Sequence, residues 1–297
     1  MKSKTSVYLY LAFATMAWGS MYVVSKFILA VLPSFAVLFI RYLLSGIILL
    51  LLLRRNKPEK IEHKDYKFIL FIGIVGYFLS IGAQLLGTQL SNASLASLIN
   101  SLNPIFMIIF AVPILKEKVT PQKIVSVAAA IAGVYIIIGG EGSRGTFAGI
   151  LISLFSVISW SLMSVTVRRI TQKYDALAVT TYGILVGAVC ALPASAVQMA
   201  KAPQAAAALL RPSIILGLIY IAVVCTAFAH LLWNKSLSMM EAGKCSLFYP
   251  LQPMTSALLG FVFLHETLHL TFLIGAVLII SGVLFSFLPI RIGYSTE

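Results

Sequence analysis

The chain has 297 residues, 60% of them apolar and only 10% charged, with a mean hydropathy of +1.00. Those values exclude a soluble globular protein and mark a chain that crosses a membrane many times. The net charge of +13 does not mark a nucleic-acid partner, because the basic residues lie in short loops between apolar runs and form no face or arm.

About twenty apolar residues cross a bilayer as a helix. On that measure the chain is predicted to be an all-α membrane protein with ten transmembrane helices, at 7–29, 34–53, 68–90, 93–115, 121–139, 147–170, 176–199, 213–237, 241–264 and 271–289. The first run follows MKSKTS and continues to Leu29, which suits a retained span better than a cleaved signal. Within it Trp18, Tyr22 and Lys26 stand four apart and share one stripe of the helix. The second span carries Arg41 about 10 Å from its start at 1.5 Å per residue. An arginine at that depth is a contact for a substrate carboxylate or a gate, or else it bonds helix-end carbonyls or snorkels outward. After the longest polar loop, 54–67, the third span sets Tyr77, Ser80, Gln84 and Thr88 at near-helical spacing.

The fourth span opens a repeat. Residues 93–133, ASLASLINSLNPIFMIIFAVPILKEKVTPQKIVSVAAAIAG, are echoed without a gap, at an offset of 149, by 242–282, AGKCSLFYPLQPMTSALLGFVFLHETLHLTFLIGAVLIISG. Pro104 and Pro253 interrupt the apolar runs, and Glu117 and Glu266 end them. A proline inside a helix cannot donate its N–H, so it kinks the helix and frees the carbonyl four residues back, here that of Asn100 and of Tyr249. Broken backbone in hydrocarbon is tolerated only against protein or a wet cavity, so two matching breaks predict a cavity between the halves. Asn100, Asn103, Tyr249 and Gln252 flank the breaks, where they either line that cavity or satisfy the freed carbonyls.

The sixth span repeats the stripe of the first, at an offset of 142, as Trp160, Ser164 and Arg168. The seventh contains Gly183 and Gly187, a small-residue pair that admits a close helix from a second copy in a homodimer or from within the chain. Between 200 and 212 an alanine-rich segment is either a short interfacial helix or an ordinary loop. The eighth span places His230, Trp233 and Asn234 on one polar and aromatic face. Histidine there either carries a proton for coupling or bonds a neighbouring helix. Cys190, Cys225 and Cys245 lie in apolar runs without paired spacing, so packing is expected and no metal, disulfide or cofactor.

Basic residues decide the orientation. Lys2, Lys4, the 54–67 loop, Lys116, Lys118, Lys123, Arg168, Arg169, Lys173, Lys235, Lys244 and Arg291 fall on one side, and only Arg144, Lys201 and Arg211 on the other. The positive-inside rule then puts both termini in the cytoplasm, with the protein in the plasma (inner) membrane. Five spans is an odd number, so the two halves, 1–140 and 141–297, are expected to be inverted copies, with Glu117 and Glu266 on opposite faces as paired gates.

The segments AWGSMYVVSK (17–26), FIRYLLSG (39–46), SLNPIFMIIFAVPILKEKVTPQK (101–123) and YPLQPMTSALLGFVFLHETL (249–268) resemble the EamA-type members of the drug/metabolite transporter superfamily, over nearly the whole chain. The resemblance implies a secondary transporter working by alternating access on amino acids, sugars, nucleotide-sugars or drugs. That family usually has glycine before the glutamate ending helices four and nine, where this chain has Lys116 and His265.

All nine acidic residues fall in loops, at helix ends or at a terminus, so no carboxylate waits at the midplane for a cation or a coupling proton. With Arg41 and Lys26 this favours export of an amino acid or a related zwitterionic or anionic metabolite. The ring faces of Trp18, Trp160 and Trp233 would suit an apolar or aromatic side chain, or they anchor the helices at the interface. The rival readings are a drug efflux carrier and a non-transporting scaffold or sensor. No H-E-x-x-H, G-x-S-x-G or Walker lysine loop supplies enzyme chemistry, so no catalytic activity is expected.

Overall fold

The computed structural model describes residues 4–56, 60–90, 99–100, 102–139, 147–264 and 270–285, all of them helical or in the turns between helices. Helix α1 (Lys4–Leu29) stops short of Pro33, whose ring disfavours helical backbone at Leu32, and α2 (Ser34–Asn56) starts directly after it. Helix α3 spans 66–90 behind a single tight turn at His63–Asp65. Helices α4 (Asn103–Leu115), α5 (Pro121–Gly139) and α8 (Pro212–Met239) open on a proline in their first turn, where no N–H is needed. Helix α6 is Phe147–Ile170, and α7 (Ala176–Lys201) is capped by Asp175, which accepts from the Leu177 N–H at 2.7 Å. Helices α9 (Leu251–Leu264) and α10 (Leu270–Phe285) complete the bundle, with short helices at Ala205–Ala208 and Ala242–Ser246.

Six of these rods, α1, α2, α3, α6, α7 and α8, are long and apolar enough to cross a membrane, and the protein is membrane-embedded. Large apolar side chains such as Leu51, Phe147, Val189, Leu216 and Val277 face outward, while Leu11, Tyr42, Ile72, Tyr77, Met163 and Trp233 fill the interior. Helix α2 packs on α7 and α5 on α10; α1 lies against α8 and α9, and α6 against α3 and α4. Gly183 and Gly187 are used within the chain: a Cβ on either would come within 2.9 Å of the Tyr77 side chain. The pair is therefore occupied by α3 and offers no surface to a second copy.

The structure corrects the prediction of proline kinks in continuous helices. In the ninth predicted span the short helix Ala242–Ser246 ends in a turn, and α9 begins afresh at Leu251. Pro104 likewise stands in the first turn of α4 instead of its middle. Neither freed carbonyl is bare. The Asn103 side-chain amide donates to the Asn100 carbonyl at 2.8 Å, and the Gln252 N–H donates to that of Tyr249 at 2.9 Å. A side chain and a turn supply the missing partners, which is why the chain tolerates both breaks.

Lys116, just past the end of α4, has φ 56°, the one positive value among the described non-glycine residues. That left-handed conformation is the helix stop glycine provides freely and an L side chain adopts at a cost. Lys116→Gly is therefore expected to stabilise the protein by about 1 kcal/mol, read as a higher melting temperature.

Candidate functional site

Two helices of the interior change pitch at the same place. Helix α3 is π-helical over Ile72–Ser80 and α8 over Ile221–Phe228, and the two starts are again 149 residues apart. Such widened turns are rare and concentrate at functional sites. Here their carbonyls receive side chains from neighbouring helices. Trp18 Nε1 donates to Cys225 O at 3.1 Å, Ser45 Oγ to Ala222 O at 2.8 Å, and Tyr42 OH to Tyr77 O at 2.8 Å.

Between these stretches lies a cavity walled by Trp18 and Met21 of α1, Arg41 of α2, Ser80, Ile81 and Gln84 of α3, Asn100 and Asn103 at the first break, and Ser156 and Trp160 of α6. His230 of α8, Tyr249 at the second break and Gln252 of α9 close it. The cavity is small, about 30 Å³, enough for one or two waters.

Arg41 neither snorkels nor caps a helix end. It is 2% exposed; its Nε donates to Thr226 Oγ1 at 2.9 Å, and its guanidinium stands 5.4 Å from the centre of the Tyr42 ring. One terminal nitrogen, Nη2, has no protein partner, and no ion pair to Arg41 occurs among the described residues. Thr226 is held in turn by donating to Ile221 O, five residues back on the π-helical turn, at 2.8 Å. His230 Nδ1 donates to the Thr226 carbonyl at 2.9 Å, which leaves Nε2 without a protein partner.

The aromatic residues form one cluster. Trp18 meets Trp160 edge-on at 5.6 Å, His230 at 5.3 Å and Trp233 at 5.3 Å, and Tyr77 lies 5.3 Å from His230. Trp160 Nε1 donates to the Tyr249 hydroxyl. Gly19 lets α1 come close enough to build this wall, since a Cβ there would sit 2.5 Å from the Gln252 carbonyl oxygen.

Of the remaining expected site residues, Asn103 is part of the wall and the others stand behind it or away from it. The Tyr22 hydroxyl accepts from the lining residues Gln84 at 2.8 Å and Asn100 at 2.9 Å, bracing them from behind the wall. Tyr77, Ser164 and Trp233 are buried in the second layer: the Tyr77 hydroxyl accepts from Asn234 at 2.9 Å. Asn103 both closes the first break and accepts from Ser161 at 3.0 Å through its Oδ1. Lys26 is exposed at the end of α1, far along its stripe from Trp18, so the shared stripe runs from the cavity to the surface. Arg168 bonds the Leu237 carbonyl at 2.8 Å at the end of α8. Glu266 and the Thr88 side chain lie outside the described residues.

Glu117 is a cap across elements. Its carboxylate accepts from the N–H groups of Ala242 at 2.7 Å and Gly243 at 3.1 Å. Lys123, with its side chain 4% exposed, bonds Glu241 at 2.7 Å and stands 3.8 Å from Glu117. Burial pushes the Glu241 carboxyl up, but the hydrogen bond and charge of Lys123, with Lys244 behind, outweigh it and hold the group below the usual carboxylate range.

Sequence reasoning passed over Met21, Ile81, Ser156 and Thr226. Thr226 is the consequential omission, since it positions two cavity groups. A signal existed in the paired small residues Gly73 and Gly76 of α3 and Ala222 and Cys225 of α8, which recur at the repeat offset where both helices widen.

The chain matches the EamA-like transporter family over residues 5–139 and again over residues 147–288. It belongs to that family. An EamA-family relative from Bacillus subtilis (strain 168), the uncharacterized transporter YvbV, is 28% identical over 289 residues, 94% of this chain and 91% of that protein. An uncharacterized transporter of Archaeoglobus fulgidus (strain ATCC 49558 / DSM 4304 / JCM 9628 / NBRC 100126 / VC-16) is 24% identical over 274 residues, 92% of this chain and 95% of that protein. A solved crystal structure superposes with a TM-score of 0.77 at 17% identity, over 96% of this chain and 97% of the other, so the EamA-family chain shares its fold.

Proposed function

We propose that this EamA-family protein is a secondary transporter that exports amino acids or related zwitterionic or anionic metabolites by alternating access around the cavity at Arg41. The observation that carries the substrate class is the buried guanidinium itself. An unpaired cation buried in the bundle is costly, and a carboxylate entering the cavity would neutralise it. No carboxylate lines the cavity among the described residues, which argues against a cationic drug.

In this reading ten helices form two inverted halves, 1–140 and 141–297, with both termini in the cytoplasm of the cell membrane. Three features support it. The family matches the chain twice, the π-helical stretches recur at the repeat offset, and exchanging the halves turns the α1 to α8 and α9 pairings into the α6 to α3 and α4 pairings. Alternating access would open this cavity to each face of the membrane in turn.

Purified protein in proteoliposomes tests the activity: counterflow of labelled amino acids above protein-free vesicles is expected, and a flat response across the twenty amino acids removes the assignment. Cysteines placed at Lys60 and Arg211 test the topology. A membrane-impermeant thiol reagent should reach them from opposite faces, and labelling from one face overturns the inversion.

A further inference from the structure

Arg41 and His230 hang on opposite ends of one residue. Thr226 accepts the Arg41 Nε–H on its hydroxyl at 2.9 Å and the His230 Nδ1–H on its carbonyl at 2.9 Å. Because a carbonyl accepts only, Nδ1 carries the proton. A second cation on the same cavity wall as Arg41 would be repelled, so the ring is neutral and Nε2 presents a bare lone pair. Two fully buried polar atoms of this wall thus lack a protein partner, a cationic donor, Arg41 Nη2, and a neutral acceptor, His230 Nε2. Around the His230 ring stand the rings of Trp18 at 5.3 Å, Trp160 at 5.6 Å and Tyr77 at 5.3 Å, an aromatic surround of the kind that attracts an ammonium.

We infer that the cavity reads both charged ends of an α-amino acid, Arg41 Nη2 taking the carboxylate and His230 Nε2 the ammonium. This rests on the transporter reading above and narrows it from zwitterions and anions together to zwitterions alone. An α-amino acid bears its two charges on one carbon, as the wall bears its two partners on one residue. Each end also rejects a half-substrate. A simple acid leaves Nε2 facing no donor, and a simple amine sets a second positive charge beside Arg41. Thr226 is the positioning residue for both contacts.

The test uses matched triplets in counterflow with the full chain: leucine, 4-methylpentanoate and isoamylamine, then phenylalanine, 3-phenylpropionate and phenethylamine. The amino acid of at least one triplet is expected to exchange at least about tenfold better than its acid and its amine. His230→Leu should lower exchange of the amino acid more than that of the acid, bringing the two within about threefold, and His230→Gln, which keeps an acceptor, should restore part of the difference. Size-exclusion profiles matching the parent protein establish that both variants fold. Equal exchange of acid and amino acid by the parent protein, or an equal loss of all three compounds in His230→Leu, overturns the inference and leaves the anion reading standing. Preference for the amine, or no exchange of any compound, overturns both.

Discussion

Arg41→Met is expected to raise the thermal stability of the protein and to abolish transport of carboxylate substrates. Stability and function should move in opposite directions because the guanidinium is buried, bonded once to Thr226 and unpaired at Nη2. A charged side chain at depth costs about 3 kcal/mol on insertion scales, and losing one hydrogen bond returns about 1 kcal/mol of that, leaving a net gain of about 2 kcal/mol. Methionine has similar length and no charge to desolvate. Thermal unfolding followed by size exclusion measures the first effect, and counterflow measures the second. A lower melting temperature with transport retained would make Arg41 a structural tie. Arg41→Lys refines the result: it keeps the charge but loses the planar fork that can hold Thr226 and a carboxylate together, so it should transport weakly.

Glu117→Ala is expected to bias the carrier toward opening on the face where Glu117 lies. In the structure that carboxylate accepts two backbone N–H groups of the short helix Ala242–Ser246, so it ties the end of α4 to the segment leading into α9. Two charge-assisted bonds contribute about 3 kcal/mol, enough to change the closed-to-open ratio by about a hundredfold if the open state lacks them. Lys123 stays paired with Glu241 in the variant, which limits the damage to folding. That remaining pair survives at neutral pH. The Glu241 pKa is depressed in the fold, so its contribution is present above its unfolded pKa and is lost only as pH falls through the lower folded value.

A cysteine at Ser156, in a background lacking Cys190, Cys225 and Cys245, reports the bias. Glu117→Ala should speed its reaction with an impermeant thiol reagent applied from that face, and unchanged rates would reduce Glu117 to a static brace. Under the 149-residue offset the matching substitution is Glu266→Ala, with the opposite bias expected.

Much of the fold was legible because it is written in local terms. Runs of apolar residues locate the rods, and the echo of 93–133 in 242–282 locates two breaks, although Pro104, expected mid-helix, opens its helix instead. The glycine expected before Glu117 was legible as well: Lys116 replaces it and still takes the left-handed backbone. The candidate site was legible only in part. Trp18, Trp160, His230, Tyr249 and Gln252 do meet at the cavity, whereas Tyr22, Tyr77 and Trp233 support it from behind. Lys26 shares a stripe with Trp18 but ends at the surface, because a stripe fixes direction around a helix and not depth along it.

The sequence by itself determined that this is a duplicated, membrane-embedded helical chain with its polar groups gathered near two breaks, since hydrophobicity and repetition are properties of neighbouring residues. Only the tertiary structure decided that Arg41 stays inside, that Asn103 spends its amide on the Asn100 carbonyl, and that Thr226 joins Arg41 to His230. Those outcomes depend on which distant donor reaches which acceptor once the helices pack. Arg41 and Thr226 are separated by 185 positions, and no periodicity carries information across that distance.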